Sequence, residues 1–196
     1  MKASRPRRWC CWCVVASGVE RLFFALWPSA TEGQAMAAYA AHLECRHGRR
    51  ITGDRLHLTL AFIGAVERTR RPAIEAMAAA LRMPGFVLHF DRVGLWRRGG
   101  IVWAGCSGVP ASAEALVATL RHGLGTLGLP FERRAFRPHV TLFRRASALE
   151  RAAPPAVAWR CRAFVLVGSE LDPVGARYRV LRRFALGSEA GTAYSD

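Results

Sequence analysis

His57-Leu58-Thr59-Leu60 and His139-Val140-Thr141-Leu142 write one pattern twice: an imidazole and a hydroxyl two residues apart, alternating with apolar side chains. In an extended strand, residues i and i+2 share a face and stand about 7 Å apart. Each copy therefore presents one histidine and one threonine on one side and anchors itself with leucine or valine on the other. Two such strands side by side would gather two imidazoles and two hydroxyls around one cleft. That set suits in-line displacement at phosphorus. One imidazole takes a proton from the attacking group and the other gives one to the leaving oxygen, both near neutral pH. Threonine hydroxyls can donate to non-bridging phosphate oxygens, and an arginine can neutralise the charge that builds there. Arg144 is the nearest candidate. Strict alternation puts it on the face opposite His139, so its use requires the strand to end or bulge at Phe143. No metal or other cofactor is needed, and the chain offers neither clustered carboxylates nor an HExxH segment to hold one. His42, Cys45 and His47 are poorly spaced for a metal site.

The elements that must position these residues follow from local pattern. "RLFFALWPS" (21–29) reads as a buried strand ended by Pro28, with Ser29 as a helix cap. The helix then runs to a stop at Gly48. The first motif strand ends at Gly64, with Leu58, Leu60 and Phe62 turned to the core. A second helix spans residues 71–82, with Pro72 in its first turn. "FVLHFDRVGLW" (86–96) and "GIVWAGC" (100–106) read as two strands joined through Arg97–Gly100. A third helix covers 110–127. The second motif strand follows, then an Ala-rich linker with Pro154-Pro155, a strand over 161–171, a turn at Asp172–Gly175 and a last strand. Each half holds one motif strand and, later, one "FVL" strand, at Phe86-Val87-Leu88 and Phe164-Val165-Leu166. The expected class is α+β, with two related lobes of antiparallel sheet and flanking helices.

The chain has 196 residues, half of them hydrophobic, which suits one compact domain. We place that domain at residues 19–188. Residues 1–18 form a Cys- and Trp-rich extension, either a disordered tail or a translated stretch ahead of a true start at Val19. Residues 189–196 form a flexible tail. No apolar run approaches the roughly 18 residues a membrane helix needs. The net charge of +15 suits an anionic partner, nucleic acid first. Lys2 is the only lysine, however, and an arginine bias of this kind weakens that argument. The six cysteines, at 10, 11, 13, 45, 106 and 161, form neither a spaced disulfide framework nor a zinc ribbon. Cys45, Cys106 and Cys161 read as small core residues in a reducing compartment, the cytoplasm.

From Arg21 to Leu186 the sequence resembles the 2H phosphoesterases. Within them it resembles the RNA 2',3'-cyclic phosphodiesterases, also described as 2'-5' RNA ligases or LigT-like proteins. "RLFFALWP", "LHLTLAFIG", "FRPHVTLFR" and "FVLVGSELDPVGARYRVLRRFAL" carry the resemblance, in the family's order. It implies a bilobal fold with the cleft between pseudo-symmetric lobes, and hydrolysis of a 2',3'-cyclic phosphate on RNA or a small nucleotide to a 2'-phosphomonoester. It implies His57 as proton donor to the departing 3'-oxygen and His139 as the base that activates water. Thr59, Thr141 and Arg144 would hold the phosphate, without cofactor, in a monomer.

Two other functions share these residues: ligation to a 2'-5' linkage, which reverses the transesterification, and RNA binding without turnover. Product analysis separates the first, and loss of turnover with retained binding the second. His42, His47, His89 and His122 have no partner pattern and read as ordinary surface or boundary residues. Arg133, Arg134, Arg137 and Arg145 crowd the second motif, as a solvated basic face or as a guide for an RNA backbone. Trp27, Trp96 and Trp103 suit packing in or near the core, with base stacking as the alternative.

Overall fold

Both motif segments become strands of one antiparallel sheet, and they are neighbours in it. The computed structural model describes residues 18–172 and 175–188. In chain order the elements are β1 (Val19–Leu26), α1 (Ala30–Ala41), β2 (Glu44–Arg46), β3 (Arg49–Arg50), β4 (Leu58–Glu67), α2 (Arg71–Ala79), β5 (Phe86–Phe90), β6 (Arg92–Trp96), β7 (Ile101–Gly105), α3 (Ala111–Thr126), β8 (His139–Arg144), β9 (Ala148–Arg151), β10 (Val157–Cys161), β11 (Ala163–Asp172) and β12 (Gly175–Ala185). The main sheet has the order β12-β11-β1-β4-β8-β7-β6, with β3 also on β8. The first four strands and the remainder form two half-sheets, joined where Leu58 of β4 faces Val140 of β8. Two small ribbons, β5 with β10 and β2 with β9, complete the α+β fold.

The lobes do not follow the two halves of the sequence. The half-sheet of His57 takes its outer strands from the C-terminus, because β11 pairs with β1. That of His139 takes β6 and β7 from the middle of the chain. The two "FVL" segments are consequently not equivalent. Phe164-Val165-Leu166 lies in the main sheet beside β1, whereas Phe86-Val87-Leu88 pairs with β10 in a separate ribbon.

Ser29 caps α1 as expected. Its hydroxyl accepts from the backbone N–H of Glu32, and the Glu32 carboxylate accepts from the Ser29 N–H at 2.8 Å. The helix stops at Ala41, short of Gly48, because the next residues extend as β2 to pair with β9. An Ala-rich sequence favours helix, but a strand partner decides here. The expected strand over 86–96 breaks at Asp91. Its carboxylate accepts from the Ser107 backbone N–H at 2.7 Å and from the Ser107 hydroxyl, and the chain passes from one sheet to the other. Similarly, Cys161 closes β10 and Ala163 opens β11, and the expected Pro-containing linker holds β9. Gly64 does not end β4. Its φ of +90°, a value glycine adopts without strain, lets the strand bulge and continue to Glu67.

Behind the motifs, Leu58, Leu60, Val140 and Leu142 are all at most 2 % exposed. Leu116, Leu120 and Leu124 of α3, at helical spacing, are fully buried in the same core. Burying each such leucine contributes roughly 1.5–3 kcal/mol, which fixes the motif strands firmly beneath their polar faces. The two expected tails and the centre of the Asp172–Gly175 turn lie outside the described residues. Among the described residues, no helix is long and apolar enough to cross a membrane.

Candidate active site

The alternation that carries histidine and threonine to one face breaks in both strands just after the threonine. In β4, Thr59 lies opposite Ala25 and Ala61 opposite Phe24, so Leu60 is an extra residue. Leu60 and Ala61 are both buried, and Phe62 is thrown outward, 41 % exposed. The expectation that Phe62 enters the core is therefore wrong, and the bulge is the reason. In β8, Thr141 lies opposite Trp103 and Phe143 opposite Val102, so Leu142 is the extra residue. Leu142 and Phe143 are buried and Arg144 is exposed. The bulge that Arg144 required is present, one residue earlier than expected, and Arg144 shares the face of Thr141.

His57, Thr59, Thr141 and Arg144 line one cavity of about 420 Å³, with Arg21, Arg49, Arg55 and Phe62 on its walls. His139 opens onto an adjoining cavity of about 660 Å³ that shares Thr59 and Phe62 with the first. The two histidines thus stand in neighbouring cavities that meet at Thr59 and Phe62.

Both imidazoles are held by one device. His57 Nδ1 lies 2.7 Å from the carbonyl of Arg55, and His139 Nδ1 lies 2.8 Å from the carbonyl of Arg137. A carbonyl only accepts, so each Nδ1 carries a hydrogen and Nε2 is the atom left for a ligand. Among the described residues, neither threonine hydroxyl has a side-chain or backbone hydrogen-bond partner.

The surroundings of the two rings differ. His57 stacks on Trp27 at 5.5 Å, almost parallel, and meets Phe23 at 5.2 Å and the edge of Tyr178 at 4.9 Å. Among the described residues, His139 has one aromatic neighbour, Trp96, edge-on at 4.6 Å. Trp96 is in turn backed by Trp103 at 5.3 Å. Trp103 lies flat because Gly94 faces it; a Cβ at Gly94 would come within 2.6 Å of the indole. Burial in the cage pushes the His57 pKa down to about 4, against the upward pull of the Arg55 carbonyl and with help from the charge of Arg144. His139 is also lowered, by burial first, partly offset by the Arg137 carbonyl, and by Arg144. Both shifts favour the neutral ring at pH 7.

The sequence named the five central residues but not Phe23, Tyr178 or Phe62. Trp27 and Trp96, expected in the core or on a base, flank the histidines themselves. Phe62 had a detectable signal, since it follows Thr59 by three residues as Arg144 follows Thr141. Tyr178 had none, because its strand arrives from the far end of the chain. Of the other histidines, His42 bonds the Ala38 carbonyl within α1 and His47 pairs with the Ser147 hydroxyl. Among the described residues no group of three metal-ligating side chains gathers.

The family model for LigT like Phosphoesterase matches residues 26–103. A protein of Escherichia coli (strain K12), RNA 2',3'-cyclic phosphodiesterase, is 36% identical over 170 residues, covering 85% of this chain and 97% of that protein. A protein of the same name from Thermus thermophilus is 32% identical, covering 87% and 92%. Among solved structures, E. coli LigT in its apo form superposes with a TM-score of 0.79 at 34% identity, covering 88% of this chain and all of that one. The E. coli LigT complex with 3'-AMP superposes with a TM-score of 0.78, also at 34% identity, covering 86% and 98%.

Proposed function

The chain belongs to the LigT-like phosphoesterases of the 2H superfamily, and from that premise we propose how its own residues hydrolyse a 2',3'-cyclic phosphate at the end of an RNA. The observation that carries the reading is the pair of histidines, each fixed through Nδ1 on the backbone carbonyl two residues before it, in two adjoining cavities that share Thr59.

The phosphate sits against Thr59 and Thr141, whose hydroxyls donate to its non-bridging oxygens. Arg144 opposes the charge that grows on those oxygens as the trigonal-bipyramidal state forms. His139, neutral when free, accepts a proton at Nε2 from water as the oxygen attacks phosphorus. The P–O3' bond breaks on the far side, where His57 Nε2 delivers a proton to the 3'-oxygen. The phosphate remains on the 2'-oxygen as a monoester, and proton exchange with solvent, off His139 and onto His57, restores the starting state for the next turnover.

His57 enters this cycle from a low pKa. An anionic phosphate in the cavity works against that depression, since its charge favours imidazolium and offsets the field of Arg144. The cage therefore keeps His57 neutral in the free protein and lets substrate charge it.

The test is incubation with 2',3'-cyclic nucleotides and short RNAs ending in a cyclic phosphate, in EDTA. A 2'-monoester product with undiminished rate is expected. A 3'-monoester would reverse the assignment of the leaving oxygen, and loss of rate in EDTA would remove the acid–base mechanism.

A further inference from the structure

A cyclic phosphate on RNA has a chain behind it, and three cavities meet near the histidines. Resting on the assignment of His57 to the 3'-oxygen, the terminal ribose lies on the His57 side, against Tyr178. The cavity beyond His139 lies on the side of the attacking water. It has an apolar wall of Leu60, Phe62, Trp96 and Phe136; its Arg134 is spent on Glu132 at 2.7 Å, while Arg121 and Arg137 also line it, with no carboxylate partner among the described residues. On the His57 side the site opens instead into a third cavity of about 560 Å³, which shares Arg21, Ser169 and Tyr178 with the first. Arg68, Arg177 and Arg179 line its outer part.

The charges in this third cavity are arranged for an anion. Glu20 and Glu170 border it; Glu20 is bound through Oε2 to Arg71 at 3.3 Å, and Glu170 lies opposite Arg177 in register, so the arginines Arg21, Arg68, Arg177 and Arg179 outnumber the carboxylates. Arg21 lies over the Phe62 ring at 5.4 Å, which places its guanidinium at the mouth of the catalytic cavity. Among the described residues, neither Arg68 nor Arg179 has a carboxylate partner. Both are exposed. By contrast Arg71 and Arg182, nearby, are tied to Glu75.

We infer that the furrow from Tyr178 through Arg21 to Arg68 and Arg179 holds the phosphodiesters upstream of the cyclic end of a single-stranded RNA. The protein then distinguishes RNA from a cyclic mononucleotide by contacts outside the catalytic cavity. Such contacts are to backbone phosphate, so they are indifferent to base and sensitive to salt. The edge strand β12 supplies Arg179, and Arg68 stands on the turn that follows β4.

The experiment compares kcat/KM for a cyclic mononucleotide and for an RNA hexamer ending in a 2',3'-cyclic phosphate. It uses the full chain, the double variant Arg68→Gln/Arg179→Gln, and a control double variant Arg121→Gln/Arg137→Gln at the cavity beyond His139. The first variant should lose about tenfold on the hexamer at moderate salt and nothing on the mononucleotide. The dependence of log kcat/KM on log salt for the hexamer should become shallower by about 1.4, from two phosphate contacts at about 0.7 each. Equal losses on both substrates, or no loss on the hexamer, would overturn the inference. So would a hexamer-specific loss confined to the control variant, which would send the RNA out past His139. Wild-type failure on the mononucleotide would instead strike the proposed reaction itself.

Discussion

The two motif strands are built alike for three residues and then part. Each has histidine, threonine and a bulged leucine, and each bulge brings forward the residue three beyond the threonine. In β4 that residue is Phe62 and in β8 it is Arg144. One geometric device therefore delivers an aromatic ring on one side and a guanidinium on the other. The cages differ as well: three aromatic rings surround His57 and one abuts His139. The repeated scaffold fixes position, while the unequal residues give the two sides of the cleft different chemistry.

The largest test removes what the strands share. His57→Ala or His139→Ala should each lower kcat on a cyclic mononucleotide by about 10²–10⁴. The double variant should fall far short of the product of the two losses, because the groups act in one step. Unchanged turnover in either single variant would end the two-histidine reading. The next test attacks what they do not share. Arg144→Ala should cost on the order of 10²-fold in kcat, as for a charge that acts on the transition state. Phe62→Ala should alter KM by only a few-fold. Equal effects would show that the asymmetry has no catalytic meaning.

A smaller effect lies in the pH profile. Both histidine pKa values are lowered from 6.5 in the free protein, His57 to about 4. One imidazole must be charged and the other neutral, so log kcat/KM should form a bell centred below pH 6.5. Trp27→Ala, which opens the His57 cage, should move the acidic limb upward. The same depression has a consequence for stability. A histidine whose folded pKa lies below its unfolded value takes up more protons when unfolded. Its contribution is complete above about pH 6.5 and declines as pH falls toward 4. Denaturant midpoints should thus drop between pH 7 and 5, and His57→Asn should flatten that drop. A midpoint that rises on acidification would contradict the burial of the ring.

The motif residues were legible because a doubled pattern in strand register states both chemistry and orientation. Leu58, Leu60, Val140 and Leu142 were legible for the same reason, as the apolar alternate of that register. What escaped came from pairing across the chain. No local signal says that Leu60 and Leu142 have no opposite number, since a bulge is defined by the neighbouring strand. The split at Asp91 is visible only once Ser107, sixteen residues away, is seen to hold it. The two halves of the sequence suggested two lobes, yet each lobe borrows strands from elsewhere, and Tyr178 enters the His57 cage by that route.

That borrowing bears on how the protein comes into being. During synthesis both histidines leave the ribosome well before Tyr178, and β11 and β12 follow last. Until then β1 has an open edge where β11 belongs, and His57 lacks one wall of its cage. A nascent chain truncated before β11 carries every motif residue, but its first half-sheet ends at β1. The cage around His57 is therefore finished only once β12 has been made, long after every motif residue is already in the chain.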